Sequence, residues 1–441
     1  MRKILILFSF IISTIAYGQE TKTSFSLQEA IDYALENNRE SKNATLNIDS
    51  AKAQQWETIA NGLPQMGATI DYINNIKQQF KEPVDFGDDG IIDFGAKQSV
   101  NANVTVNQLI FDGSYLVGLQ ASKVFLEISR NSKEKTDLEI RKAVINAYGN
   151  VLLTKESISI LKKNISILKK NLNDITKIFE NGLEEEESVE QIKITLSGVK
   201  SNLNNVIRLQ GIGNKMLNIT LGKDINDVII TSDSLDTLAA QNITITLFEI
   251  SDDVKNTIDF KIADNDKRSK ELLVKLEKSK ALPTVGAFIS GGYLGNSQKF
   301  TFLNNNQQWV GTANFGARIT IPIFGVGLQS ARTQRAKINL NIAENNLKET
   351  EQQLKLKIAS AKSEYQFAIE EYDNKKDNLR LAERIEKKNQ TKFFEGIGSS
   401  FELRQAQTQL YTAQNQLLQT MLDVINKKAE LETVLNNISQ K

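Results

Sequence analysis

Two runs of apolar residues at heptad spacing, joined by a short polar stretch, constrain the fold of this chain more than any other feature. The first run interleaves two series, Ile158, Ile165, Leu172 and Phe179 with Leu161, Leu168 and Ile175. The second run follows Asn181-Gly182 and interleaves Val189, Leu196 and Leu203 with Ile192, Val199 and Val206. Apolar residues at such a and d positions form a seam along which helices pack. Residues 158–209 are therefore predicted to form an antiparallel helical hairpin with an exposed tip.

The same arrangement occurs again near the C-terminus. Its outgoing run interleaves Leu347, Leu354, Ala361 and Ala368 with Glu351, Ile358, Tyr365 and Tyr372, and its returning run contains Leu403, Leu410, Leu417, Val424 and Leu431. Gly396 lies between the two runs, and glycine readily adopts the left-handed conformation that ends a helix. One offset relates Gly182 to Gly396 and Gln191 to Gln405. The sequence therefore predicts an internal duplication.

Capping boxes are predicted at the start of three helices. In this motif a serine side chain and a Glu or Gln side chain three residues later each accept a hydrogen bond from the other residue's backbone. The pairs are Ser26 with Glu29, Ser188 with Gln191, and Ser399 with Glu402. The first pair begins a helix predicted to continue to about Ala60, and the other two begin the returning helices of the hairpins.

Two pairs of segments with the alternation of β-strands precede the hairpins. Their apolar positions are Met66, Ala68, Ile70 and Tyr72, then Val100, Ala102, Val104 and Val106, then Val285, Ala287 and Ile289, and finally Trp309, Ala313, Phe315, Ala317, Ile319 and Ile321. Loops are predicted at 74–96 and at 295–307. The first loop contains Asp85, Asp88, Asp89 and Asp93. A solvated loop is favoured there over a calcium site, because the regular ligand spacing of a calcium loop is absent.

These patterns predict a signal peptide and two structural repeats. Residues 1–18 carry Arg2 and Lys3 before an apolar run, which is typical of a cleavable leader. Residues 19–222 form the first repeat of helix, two strands and a long hairpin with its tip at 181–188. A linker at 223–250 precedes the second repeat, 251–431, which begins with a helix from about Asp252 and has its tip at 395–402. Residues 432–441 form a C-terminal tail.

The composition excludes several classes of function. The chain has no cysteine and no histidine, which rules out disulfides, thiolate or histidine metal sites, and catalytic triads that use histidine. The formal net charge is +1, so no basic footprint for nucleic acid is visible. Glu184–Glu187 offer carboxylates that a histidine-free hydrolase could use, but a solvated charged turn is favoured. We expect no cofactor, no metal and no enzymatic activity.

Four strands per chain cannot form a closed membrane wall. The leader, strand lengths near the roughly 9–11 residues that cross an outer membrane, and one polar side all favour strands that enter that membrane. Open strand edges are not tolerated in lipid. A chain that inserts these strands must therefore form an oligomer.

The chain resembles the TolC-type outer-membrane efflux proteins. The resemblance covers nearly the whole chain after the leader, and it rests on the order of elements, the duplication, the two tips, Leu63-Pro64 and Leu282-Pro283 before the strands, and Gln108-Leu109-Ile110-Phe111-Asp112-Gly113. It implies a mainly α fold with a β-barrel portion. Long antiparallel coiled-coil helices and four transmembrane strands per protomer would close, in a homotrimer, into a twelve-stranded barrel and an α-helical tunnel.

The resemblance also implies function, partners and location. The chain would be the outer-membrane channel-tunnel of a tripartite efflux or type I secretion system, a passive exit duct for small molecules or secreted protein. It would lie in the outer membrane, contact outer-membrane lipid, and extend into the periplasm. A periplasmic adaptor and an inner-membrane transporter would be its partners. The adaptor is expected to contact the tips at Gly182, Leu183, Gly396, Ile397 and Gly398.

Glu402 and Ser188 are the residues that the resemblance places at a periplasmic gate. In the family an acidic ring shortly after the second tip glycine sets cation preference, and Glu402 occupies that position, while Ser188 occupies the corresponding position of the first tip. Gly398 stands where the family has an arginine, so the family's closing ion pair is not expected here. Glu402 has a second interpretation as the capping-box partner of Ser399.

An exported coiled-coil scaffold of the cell envelope that transports nothing is the alternative function. Such a scaffold would keep the heptad runs, but it has no need of four alternating strands. The strands therefore favour the duct.

Overall fold

The computed structural model describes residues 23–77, 84–85, 91–92, 96–249, 253–323 and 327–436. The predicted signal peptide at 1–18 lies outside the described residues, as do Asp88, Asp89 and Asp93. The chain divides into two compact units. The first comprises Met1–Ala44, Lys133–Ile258 and Gln353–Lys441, and the second comprises Thr45–Ser132 and Asp259–Gln352.

The described residues are mainly helical, as predicted. The helices are α1 (Leu27–Asn37), α2 (Arg39–Ala60), α3 (Gly113–Glu180), α4 (Glu186–Leu221), α5 (Leu235–Gln241), α6 (Ile258–Ser279), α7 (Leu328–Phe394) and α8 (Ser400–Leu435). The strands are β1 (Ser24–Phe25), β2 (Gln65–Asn74), β3 (Val84–Asp85), β4 (Ile91–Ile92), β5 (Gln98–Phe111), β6 (Ile230–Thr231), β7 (Thr284–Ser297) and β8 (Trp309–Thr320). Within the described ranges, no helix combines the length and the apolar character needed to cross a membrane.

The first unit contains two helical hairpins, one formed by α3 from Lys133 onward with α4 and the other by α7 from Gln353 onward with α8. The heptad positions of this unit other than Phe179 are buried or half-buried in its core, which confirms the predicted seams. Phe179, at the end of α3, is 37% exposed. On α3 the buried members are Leu161, Ile165, Leu168 and Ile175, and on α7 they are Leu354, Ile358, Ala361, Tyr365, Ala368 and Tyr372. Helix α8 buries Leu403, Leu417, Val424 and Leu431. Apolar burial along these seams therefore holds the long helices together.

Two buried tyrosines hold the segment after α4 against the long helices of the first unit. The Tyr148 hydroxyl lies 2.8 Å from both the Phe25 carbonyl oxygen and Asp233 Oδ2. The Tyr365 hydroxyl donates to the Asn242 carbonyl at 2.5 Å and accepts from Thr244 N at 2.9 Å. Burial raises the pKa of both tyrosines. The predicted linker is therefore a packed segment.

The same segment contains more regular structure than the sequence suggested. Its Ile230–Thr231 pairs in parallel with Ser24–Phe25. Helix α5 and a 3-10 turn at Ile245–Glu249 were not predicted. Both are short enough that contacts with distant helices, rather than their own periodicity, decide their structure.

Three predicted helix boundaries are wrong. The N-terminal helix breaks at Asn38, where the side-chain Oδ1 accepts from Glu40 N at 2.7 Å and Nδ2 donates to the Thr220 carbonyl at 2.7 Å. Helix α6 begins at Ile258 rather than near 252, because a 3-10 turn at Val254–Asn256 comes first. Helix α8 continues beyond residue 431 to Leu435, and left-handed Asn436 ends it. The two Asn38 side-chain hydrogen bonds, one to the nearby Glu40 and one to the distant Thr220, account for the first change.

The second unit contains a four-stranded antiparallel sheet in the order β2-β5-β7-β8. Strand β7 extends to Ser297, past the predicted start of its loop at 295. At the end of β5, Asp112 Oδ1 accepts from Ser114 N at 2.6 Å and so caps α3. Gln108 Nε2 donates to the Gly62 carbonyl at 2.9 Å. The Gln108 to Gly113 motif thus joins sheet and helix.

Candidate functional site: the helix tips and the two-faced sheet

The two long outgoing helices end with the same backbone geometry. At the first tip (residues 181–185), Gly182 N donates to the Phe179 carbonyl at 2.8 Å and Leu183 N to the Ile178 carbonyl at 3.1 Å. At the second tip (residues 395–399), Gly396 N and Ile397 N donate in the same way, at 3.1 and 2.9 Å. Each set is a Schellman motif, which requires a left-handed residue. The glycines supply it, with φ of +74° and +75°.

Each tip presents one apolar side chain to solvent. Leu183 is 78% exposed and Ile397 is 72% exposed. In a Schellman motif the residue at this position frequently packs against its own helix, but these two do not. Gly398 has a packing reason of its own, because a Cβ there would come within 2.9 Å of Lys392 Cβ. The tips therefore offer two apolar contacts that the protomer leaves unused.

The two returning helices begin differently. Helix α8 has the predicted capping box, in which Ser399 Oγ accepts from Glu402 N and Glu402 Oε2 accepts from Ser399 N, both at 3.2 Å. The capping box predicted at Ser188 and Gln191 is wrong. The N-cap of α4 is Glu185, which makes no side-chain cap hydrogen bond, and Ser188 lies inside the helix.

Ser188 is buried within the first turn of α4 because the helix begins earlier than its sequence suggested. Its hydroxyl donates to Glu184 Oε1 at 2.5 Å. Glu186 and Glu187 occupy the first turn, where negative charge interacts favourably with the helix dipole. The run of glutamates therefore has a structural role, which supports the solvated-turn interpretation over an active site.

The two hairpins meet just behind their tips. One apolar cluster combines Ile175, Val189 and Ile192 of the first hairpin with Phe393 and Leu403 of the second. A small cavity beside it is lined by Ser188, Gln191, Thr195, Ser400, Arg404 and Gln407, among others. The exposed Glu402 does not line this cavity. The structure thus brings Ser188 to the contact between hairpins and leaves Glu402 on the surface.

A half-buried carboxylate between α7 and α8 was missed by the sequence analysis. Burial raises the pKa of Glu386, and the neighbouring Gln407 amide lowers it by a smaller amount. Burial and the negative charge of Glu386 raise the pKa of Tyr411. The available signal was the heptad series itself, because Glu386 lies seven residues before Phe393 and fourteen after Tyr372. A charged residue at a seam position must be partly desolvated.

The sheet has an apolar face and a polar face. Its register aligns Met66, Val106, Ile289 and Phe315 in one row, and Ile70, Ala102, Tyr293 and Gly311 in another. The intervening rows are Gly67, Thr105, Ser290 and Asn314, and Thr69, Asn103, Gly292 and Thr312. Side chains alternate between faces along a strand. The apolar residues of the predicted alternation therefore lie on one side of the sheet. Phe288, Leu294 and Val310 lie on the other side, in rows with Asn107 and Asn101.

The apolar face is uncovered over much of its area. Met66 and Ile70 are each 76% exposed, and Phe315 is 79% exposed. On the polar face, Ser290 Oγ donates to Asn103 Oδ1 at 3.0 Å. In the described part of the chain, β2 and β8 are each paired on one side only. Such a sheet can separate lipid from water once its two edges are paired.

Comparison with known proteins identifies relatives of this chain. The model of the outer membrane efflux protein family matches residues 30–216 and 255–437, which together make up well over half of the chain. No curated protein sequence matches it significantly.

Solved structures with the same fold include two described as outer-membrane proteins, VceC and MtrE, and one described as forming a transmembrane channel, CusC. VceC of Vibrio cholerae is 16% identical, with a TM-score of 0.74 over 93% of this chain and 95% of that one. CusC is 17% identical, with a TM-score of 0.75 over 96% and 95%. The open state of the MtrE outer membrane channel of Neisseria gonorrhoeae is 17% identical, with a TM-score of 0.74 over 94% and 91%.

Proposed function

The chain belongs to the outer membrane efflux protein family, and we propose that it works as a homotrimer whose tips a periplasmic adaptor connects to an inner-membrane transporter. It is an efflux channel of the outer membrane that extends into the periplasm. The proposed trimer is a passive exit duct, and its cargo is small molecules or secreted protein. No chemistry of its own is required.

The two-faced sheet with two singly paired edges carries this proposal. Its apolar face suits lipid and its polar face suits a water-filled lumen. Pairing β2 of one copy with β8 of the next satisfies both edges, as a membrane requires. A coiled-coil scaffold without transport has no use for such a sheet, and the family match also argues against that alternative.

The tips support adaptor contact in the proposal. Exposed Leu183 and Ile397 sit at equivalent positions after the two left-handed glycines. Apolar side chains held on a rigid turn lose little conformational entropy when a partner covers them. Gly182, Gly396 and Gly398 shape these turns, while Leu183 and Ile397 supply the contact.

Glu402 is the proposed cation-selective residue of the periplasmic mouth, and Ser188 the proposed polar contact of the first tip. Three exposed Glu402 carboxylates, one per protomer, would attract cations strongly in a narrow opening. Glu402 also caps α8 through Ser399. Ser188 already donates to Glu184 in the tip that precedes its helix. Its gate role requires that this hydroxyl also meet a neighbouring protomer.

Glu402→Gln separates the two roles of Glu402, because glutamine keeps the capping acceptor and removes the charge. We expect the variant to fold normally and to show reduced cation selectivity and weaker block by multivalent cations in planar bilayers. Glu383→Gln, which removes an exposed charge from α7, is the matched control and should leave both properties unchanged. Unaltered selectivity of Glu402→Gln would leave Glu402 as a helix cap only.

A further inference from the structure

The loop at 298–308, between β7 and β8, is unusually apolar for a surface connection. It contains Phe300, Phe302 and Leu303, and its charged residue is Lys299. The remaining residues are uncharged Gln, Asn and Thr. Connections exposed to water are normally polar. The loop therefore has a composition that suits contact with an apolar phase.

Hydrogen bonds fold this loop into a compact turn. Asn304 N donates to the Thr301 carbonyl at 2.9 Å, and Gln307 N donates to the Asn304 carbonyl at 3.1 Å. Thr301 Oγ1 lies 2.6 Å from Gln307 Oε1 and 2.9 Å from Ser297 Oγ. The loop thus has its own internal structure and does not project as an extended arm.

An aromatic cluster holds the loop on the apolar face of the sheet. The Phe302 ring centroid is 6.1 Å from that of Tyr72 and 6.2 Å from that of Trp309, and Phe300 lies 5.9 Å from Tyr72. Phe302 is only 8% exposed. Tyr72 and Trp309 belong to one row of the sheet with Gly295 between them. Gly295 leaves room for the Trp309 ring, which a Cβ would meet at 3.0 Å.

The loop also extends the apolar face beyond the strands. Leu303 is 86% exposed and Phe300 is 58% exposed, next to the exposed Lys299. Tyr72 lies near the end of β2 that is farther from α2, so the cluster marks the end of the sheet away from the helices. Aromatic residues concentrate at the headgroup level of membranes, and lysine interacts favourably with anionic headgroups.

We propose that the loop at 298–308 is a membrane-surface anchor that binds the outer leaflet of the outer membrane. Phe300 and Leu303 insert at the boundary between headgroups and acyl chains, and Lys299 lies among the headgroup phosphates. The surface is continuous with the apolar face, which contacts lipid in the proposed duct, so the inference rests on that function. An anchor at this position fixes the depth of the sheet in the membrane.

Tryptophan fluorescence in phospholipid nanodiscs tests the anchor, because the chain has only two tryptophans, Trp56 and Trp309. With both replaced by phenylalanine, Leu303→Trp reports on the loop. We expect lipids brominated near the headgroup to quench its emission more than lipids brominated deep in the acyl chain, and iodide to quench it weakly. Adding Phe302→Ser should release the loop and reverse this pattern.

Two controls separate failure of the anchor from failure of the duct. Trp309 alone, with Trp56→Phe, reports whether the apolar face meets lipid. Val310→Trp, in the background without Trp56 and Trp309, reports from the opposite face at the same height and should respond to iodide. Quenching of Trp309 by brominated lipid together with strong iodide quenching of Leu303→Trp would overturn the anchor alone. No lipid quenching at Trp309 would overturn both the anchor and the proposed membrane wall.

Discussion

Gly182 and Gly396 isolate the contribution of backbone conformation at the tips. Both have positive φ, and a Cβ at either position would meet no atom within 4 Å. Replacing either glycine with alanine should therefore destabilise the turn only by the strain of the left-handed conformation, about 1–2 kcal/mol. We expect the Leu183 or Ile397 amide to exchange with solvent roughly 5–30 times faster in the corresponding variant. Hydrogen exchange measures this directly.

Gly198 provides the matched control for the tip glycines. It lies in the middle of α4 with open space around its Cα, where alanine is favoured over glycine by about 0.8–1 kcal/mol. Gly198→Ala should slow exchange in α4 or leave it unchanged. Equal effects at Gly182 and Gly198 would mean that the left-handed turn is not needed.

Glu386 makes the stability of the first unit depend on pH. Its pKa is raised in the folded state by burial, so ionisation opposes folding. The stability associated with the protonated form is fully present below the unfolded pKa of about 4.3 and is lost as pH rises through the higher folded pKa. Glu386→Gln should therefore raise the thermal midpoint at pH about 7 and have little effect at pH about 4.

Thermal unfolding followed by circular dichroism at both pH values tests the role of Glu386. The exposed neighbour Glu383, changed to glutamine, controls for the loss of charge and should show no such pH difference. A Glu386→Gln variant with the same midpoint as the unmodified protein at neutral pH would show that its carboxylate is well solvated.

At the scale of a single element, β7 contains two adjacent glycines with different surroundings. A Cβ on Gly292 would come 2.2 Å from the Ala102 carbonyl oxygen of β5, whereas one on Gly291 would come no closer than 3.5 Å to another atom. The atom in the way is part of the β5 backbone, which cannot move aside as the end of a flexible side chain can. Gly292→Ala should therefore disturb the pairing of β5 with β7, and Gly291→Ala should not.

The yield of oligomer on native electrophoresis in mild detergent distinguishes these two variants. We expect Gly292→Ala to lose most of it and Gly291→Ala to retain it, since the sheet must be intact before its edges can pair. Retention in both variants would mean that the sheet shifts locally to admit the methyl group.

At the scale of the whole molecule, β2 and β8 are each paired on one side only in the described part of the chain. These edges predict an oligomer that depends on lipid or detergent, and the family resemblance gives its number of subunits as three. Mass measurement in detergent should give three copies of the chain. Fractionation should place these copies in the outer membrane. A stable monomer with the same strand content would mean that the edges are satisfied within one chain, which would contradict the proposed assembly.

The sequence by itself determined the features that depend on short-range spacing. Heptad repeats placed the seams of both hairpins, since residues three and four apart share a helix face. Alternation placed the predicted apolar residues of four strands on one face. The capping boxes at Ser26–Glu29 and Ser399–Glu402 formed as predicted. The family resemblance, drawn from the order of these elements, was confirmed by the family match. The gate role of Glu402 and Ser188 remains a prediction.

Tertiary structure alone decided the features that depend on residues far apart in the chain. Tyr148 binds Phe25 and Asp233 across 123 and 85 positions, and these contacts order a segment with no clear periodicity. The loop at 298–308 packs on the apolar face because the Phe302 ring contacts the ring of Tyr72 on β2, whose centroid is 6.1 Å away. Glu386 is desolvated by the helix opposite it. Ser188 is not the predicted N-cap, because α4 begins at Glu186 and the serine lies inside its first turn. Local patterns restrict which faces can be buried, but only the packed chain determines what each face meets.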